Sequence, residues 1–183
     1  MNLPPVCGSS AVSFSLNGAT MERSMEPEGL LTLARELIND VTFCFAITCA
    51  ENGDAHARIV QPRKLTDEWT VDFLTNRRCR KVRELESSGK MTLAYQHERD
   101  RSYVSLVGRA SIVDDVELKR SRWVPAADRW NPGGPDDPAV VFARLETQRI
   151  ELWSAVRNVM PEPQGYSAAV LVRDGDGWHY SAT

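Results

Sequence analysis

The chain has 183 residues, a net charge of −3 and a pI near 5.7. That length is one domain with room for a hydrophobic core, and 42% hydrophobic with 26% charged residues is ordinary globular composition. The acidic balance excludes a general nucleic-acid binder, and no apolar run approaches the roughly 20 residues of a membrane span.

Residues 1–24 are rich in Ser, Gly, Asn and Pro and show no sustained period, so they read as a poorly ordered extension. Residues 25–183 form a single domain, and Met21 and Met25 offer alternative starts close to its first element. The N-terminus shows no secretory pattern, so a cytoplasmic protein with reduced thiols is expected. The four cysteines Cys7, Cys44, Cys49 and Cys79 have no metal-type spacing, and neither do His56, His97 and His179.

The first helix is expected over Pro27 to Asn39, with Leu30, Leu31, Ala34, Leu37 and Ile38 as its apolar stripe. Thr42 to Ala50 reads as a strand, turned at Glu51-Asn52-Gly53-Asp54 into a second strand from His56 to about Arg63. Leu65 to Glu68 turns again, and Trp69 to Thr75 is the third strand. A basic helix follows to about Ser88, closed by Gly89. Met91 to His97 and Ser102 to Val113 form a long hairpin through the loop Glu98-Arg99-Asp100-Arg101. Val116 to Val124 reads as a short helix, and Asp128 to Pro138 as a loop. Arg144 to Val156 is the next strand, and Ala168 to Arg173 with Trp178 to Tyr180 the last hairpin. Short turns imply antiparallel pairing, and a small closed or nearly closed barrel with flanking helices removes the exposed edges.

The basic helix is the most informative segment. Arg77, Arg78, Arg80, Lys81 and Arg83 crowd its start, where the helix dipole and unpaired N–H groups already favour negative charge. One reading is a solvated basic face, partly paired with Glu84 and Glu86. The other is a phosphate site, in which dipole, amides and guanidinium groups converge on an anion.

Three local matches, in order, resemble the flavin-binding split barrel of the pyridoxamine 5′-phosphate oxidase superfamily, in its general-stress-protein-like branch. They are Ala57-Arg58-Ile59-Val60, then Phe73-Leu74-Thr75-Asn76-Arg77-Arg78-Cys79-Arg80-Lys81, then Ile150-Glu151-Leu152-Trp153. The loop Asn131 to Pro138 also resembles that branch. The resemblance spans roughly residues 28–181 and implies a mainly β, antiparallel FMN-binding split β-barrel. FAD or another flavin is the alternative cofactor. By the same resemblance Arg58, Ile59 and Val60 line the flavin, Leu74 is a further cofactor-binding residue, Thr75 lies near the ribityl or pyrimidine part, and Cys79, Arg80 and Lys81 meet the phosphate. Tyr103 stands where the classical oxidases carry a flavin-contacting Gln, and Trp153 approaches the flavin of a neighbouring subunit in a homodimer.

The resemblance also has departures. Cys79 replaces the usual Ser, and the arginine–histidine–arginine signature that grips a vitamin B6 phosphate is missing after Trp153. The expectation is therefore an FMN-dependent oxidoreductase acting on a small molecule, not a true vitamin B6 oxidase and without a metal. The alternative is a non-catalytic flavin-binding or stress-response protein; haem or a deazaflavin in the same barrel is a third reading. Cys79 reads as an ordinary thiol or a reactive one. Trp123 and Trp130 read as core or dimer-contact residues, or as aromatic walls of the site.

Overall fold

A computed structural model describes residues 26–160, 165–175 and 177–181. The extension read over residues 1–24 lies outside the described residues. Helix α1 runs Pro27–Asn39 with a proline at its start, and it buries Leu30, Ala34, Leu37 and Ile38, the stripe its 3.6-residue period dictates. It packs against the strands Lys90–His97, Ser102–Val113 and Gly177–Tyr180 of the sheet. No helix among the described residues is long and apolar enough to cross a membrane.

The strands are β1 (Cys44–Cys49), β2 (Ala55–Val60), β3 (Thr70–Asn76), β4 (Lys90–His97), β5 (Ser102–Val113), β6 (Val140–Ser154), β7 (Ala169–Asp174) and β8 (Gly177–Tyr180). Helix α2 is Arg80–Ser88, and α3 is Val116–Ser121. All pairings are antiparallel, in the order β2-β1-β4-β5-β6-β7-β8, with β3 also on β6. The long strand β6 splits the barrel. Its first half lies between β3 and β5, and its second half between β5 and β7. The Arg63 amide donates to Asp72 O at 2.7 Å, tying the exit of β2 to β3. This is the mainly β split barrel that the sequence led us to expect.

A bulge sits where β6 changes partners: Val107 pairs with Arg149 and Gly108 with Thr147, so Gln148 is skipped. Gly108 is obligatory there, since a Cβ would lie 2.0 Å from the backbone oxygen of Glu146. On the opposite strand face Asp72, with 3% of its side chain exposed, takes a two-pronged bond from Arg144 at 2.8 and 2.9 Å and another from Arg122 at 2.7 Å.

Several element boundaries differ from the sequence reading; β1 is shorter at both ends, β2 ends at Val60 and not near Arg63, and β6 ends at Ser154 and not Val156. The basic helix starts at Arg80, not directly after Asn76, because Asn76 still pairs with Val140 as the last residue of β3. The Asn76 side chain then accepts from the Arg78 amide at 2.9 Å and holds a turn, so Arg77 and Arg78 precede the helix. Strand β6 begins at Val140, earlier than Arg144, because Val140, Val141 and Phe142 are buried against β3. Helix α3 stops at Ser121, and Pro125–Ala127 forms a separate 3-10 turn.

Candidate flavin site

Strand β3 and helix α2 together build the first part of the site. Val71, Phe73 and Thr75 point into the core, as alternate strand residues must, and Thr75 is buried. The Lys81 ammonium donates to Thr75 Oγ1 at 2.8 Å and has no carboxylate partner among the described residues. Burial pulls the Lys81 pKa below the ordinary lysine range; neighbouring Cys79 opposes this and Arg58 reinforces it. Cys79 is the N-cap of α2 but makes no side-chain cap bond; the Val82 amide donates to Cys79 O at 3.0 Å, and the Arg80 and Lys81 amides remain open donors. At the far end Gly89 closes α2 in the left-handed region, at φ 62°.

Arg58 and Arg80 join this group through Glu84. Arg58 points inward from β2, donating to Thr48 Oγ1 at 2.5 Å, Ala46 O at 3.3 Å and Glu84 Oε2 at 3.1 Å. Arg80 reaches Glu84 Oε1 through Nε at 3.3 Å, and His56 Nδ1 meets the same oxygen at 2.7 Å. Burial pushes the Glu84 carboxyl up, but hydrogen bonds from Thr48, His56 and Arg58, with the His56 charge, outweigh it and hold it down at about 2. Arg77, by contrast, is taken by Asp114 at 2.6 Å.

The second part is a cavity of about 540 Å³ at the opposite end of β1 and β4. Its walls include Phe45, Ala94, Gln96, Arg101, Tyr103 and Trp153. Gln96, Tyr103 and Trp153 stand abreast on paired strands. The Trp153 indole N–H donates to Gly165 O at 2.5 Å, which fixes the ring. Burial and the nearby Glu151 charge push the Tyr103 phenol up, so it stays a protonated donor at neutral pH.

The structure thus brings Arg58, Thr75, Arg80 and Lys81 together, with Cys79 beside Lys81. Tyr103 and Trp153 line the separate cavity, which includes none of those five. Ile59 turns outward from β2 and is 65% exposed, while Val60 turns back into the core and Leu74 is half-buried on β3. The sequence reading missed the contributions of Thr48, His56 and Phe45. The apolar residues on both faces of β1 were a readable sign that its outer face, too, needs cover.

A family model described as "Pyridoxamine 5'-phosphate oxidase like" matches residues 31–171. The chain belongs to this family. Among curated relatives, General stress protein 26 of Bacillus subtilis (strain 168) is 26% identical over 113 residues, covering 60% of this chain and 79% of that protein. A pyridoxamine 5′-phosphate oxidase-related, FMN-binding protein of Nostoc punctiforme PCC 73102 superposes with a TM-score of 0.65 at 16% identity, over 85% of this chain and 95% of the other. PhzG of Burkholderia lata 383, solved with tetrahydrophenazine-1-carboxylic acid, gives a TM-score of 0.64 at 22% identity, over 92% and 96%. These structural likenesses establish the fold.

Proposed function

We propose that the protein is an FMN-dependent oxidoreductase acting on a small molecule, and that it works as a homodimer. The observation that carries this reading is the donor set at the β3–α2 connection. Lys81 is a cation disfavoured by burial and by Arg58, lacks an ionic partner among the described residues, and lies beside open helix amides. A phosphate relieves each of these costs at once. Arg80 adds a guanidinium whose terminal nitrogens make no bond among the described residues. The donors present therefore fit a flavin mononucleotide phosphate, and the phosphate reading of the basic helix is preferred to a solvated face.

When bound, the flavin supplies the redox chemistry, accepting electrons from a substrate and passing them to an acceptor. The chain's residues bind and orient. Lys81, Arg80 and the α2 amides hold the phosphate, and Thr75 receives the Lys81 ammonium and so sets where its charge lies. Phe45, Tyr103 and Trp153 offer an aromatic wall that would take a planar ring, with the Tyr103 hydroxyl available to donate to it.

Two copies complete the site. In one chain the phosphate donors and the aromatic wall are separate, and the outer sheet face between them leaves Phe45 and Ile59 paired and exposed. A two-fold partner laid on that face covers them and brings its own Trp153 to the flavin.

The test is a turnover assay of FMN-loaded protein, with reductants and a series of acceptors including oxygen. Saturable electron transfer faster than that of free FMN supports an enzyme. Tight FMN binding with transfer no faster than free FMN would identify a flavin carrier.

A further inference from the structure

Glu84 is the carboxylate on which the cation cluster turns. Only 6% of its side chain is exposed, and every contact it makes is with a donor. Its Oε1 meets His56 Nδ1 at 2.7 Å and Arg80 Nε at 3.3 Å, while its Oε2 takes Arg58 Nη2 at 3.1 Å and the Thr48 hydroxyl.

The two arginines are held in different ways. Arg58 engages both terminal nitrogens with the protein, through Thr48, Ala46 and Glu84. It is a pinned structural cation. Arg80 uses only Nε, one helical turn ahead of Glu84, and its side chain stays 57% exposed. The ion pair draws the Arg80 guanidinium toward Glu84 and leaves its two outer nitrogens without a protein partner among the described residues. Glu84 is itself immobilised by Thr48, His56 and Arg58 from two strands, so it is a rigid post for Arg80.

We propose that Glu84 is a positioning residue for the flavin phosphate, holding the Arg80 guanidinium in place by their ion pair so that its free outer nitrogens meet the phosphate oxygens. This rests on the reading of the β3–α2 connection as the phosphate site. A competing electrostatic expectation runs the other way: an anion so near the phosphate repels it, and its removal would tighten binding. Orientation wins here because Glu84 is enclosed by cations. Arg58, Arg80 and Lys81 against one carboxylate still leave two positive charges, which suits a phosphate dianion.

The experiment measures FMN and riboflavin affinities for wild type, Glu84→Gln, Arg80→Ala and the double variant. Glu84→Gln is expected to weaken FMN about tenfold, and riboflavin by less than about twofold. Because Glu84 acts through Arg80, the double variant is expected to bind FMN within about twofold of Arg80→Ala alone. Unchanged or tighter FMN binding by Glu84→Gln, an equal loss for riboflavin, or independent losses that multiply in the double variant would each overturn the proposal. If Glu84→Gln does not fold, Glu84→Asp takes its place; it keeps the charge, shortens the reach to Arg80, and predicts the same FMN-selective loss. The two readings fail differently. Wild-type FMN affinity in Arg80→Ala removes Arg80 from the phosphate site, whereas loss in Arg80→Ala without loss in the Glu84 variants removes only the positioning role.

Discussion

Tyr103 and Trp153 face each other across the β5–β6 ladder, and both line a cavity that contains neither Thr75, Arg80 nor Lys81. One chain therefore holds an aromatic wall and the proposed phosphate cradle without bringing them together. If a two-fold partner joins them, the holoprotein sediments as a dimer at micromolar concentration. Ile59→Lys, which places a charge on the exposed outer face, should shift it toward monomer and weaken FMN in parallel. A dimer unaffected by that charge, or a monomer with full FMN affinity, would remove the shared-site arrangement.

The proposed phosphate cradle makes a separable prediction. Replacing Arg80 and Lys81 together by Ala should weaken FMN by several kcal/mol, at about 1.5–3 kcal/mol for each hydrogen bond to a charged group. Riboflavin, which lacks the phosphate, should bind the variant and wild type almost alike. Equal FMN affinity in the two proteins would place the phosphate elsewhere.

Glu84 also links the site to stability in acid. Its carboxyl sits at about 2 in the folded chain against an ordinary 4.5. A depressed folded value means the stabilisation is fully present above about pH 4.5 and fades as the pH falls toward 2. Urea midpoints should therefore fall more steeply across that window for wild type than for Glu84→Gln, which starts less stable at neutral pH. Parallel pH slopes for the two proteins would show that Glu84 does not carry this linkage.

Much of this architecture was legible in the residues, and the parts that were not share one cause. Helix α1 runs from Pro27 to Asn39 as its apolar stripe and starting proline indicate, and the hairpins follow their turn residues. Local spacing also allowed Glu84 to pair with the cations one turn before it, and Arg80 forms that ion pair. It could not foresee Thr48, His56 and Arg58 at the same carboxylate, because those come from β1 and β2 and meet α2 only once the barrel closes. The start of α2 was misplaced for a related reason. Asn76 is a good helix cap by type, but its pairing with Val140, some sixty residues later in the chain, keeps it in the strand.

The substrate prediction is negative. Pyridoxamine and pyridoxine phosphates need a second cationic grip, and the described residues after Trp153 offer only Arg157 and Arg173. Arg157 is held by Asp100 at 2.8 Å, and Arg173 donates to Glu68 O at 2.9 Å beside Asp174. FMN-loaded protein incubated with pyridoxamine phosphate should form no appreciable pyridoxal phosphate or peroxide. Saturable product formation would show a grip built from other cations, such as Arg101 at the cavity rim.

Whether this barrel holds FMN is read from the visible spectrum of the purified protein, with mass identification of what it releases on denaturation. The expected protein is yellow with flavin absorption bands and releases FMN at about one per chain, or is colourless, takes up FMN to that stoichiometry and gains the bands. A protein that binds no FMN when it is supplied, or that releases haem or a deazaflavin instead, would contradict it.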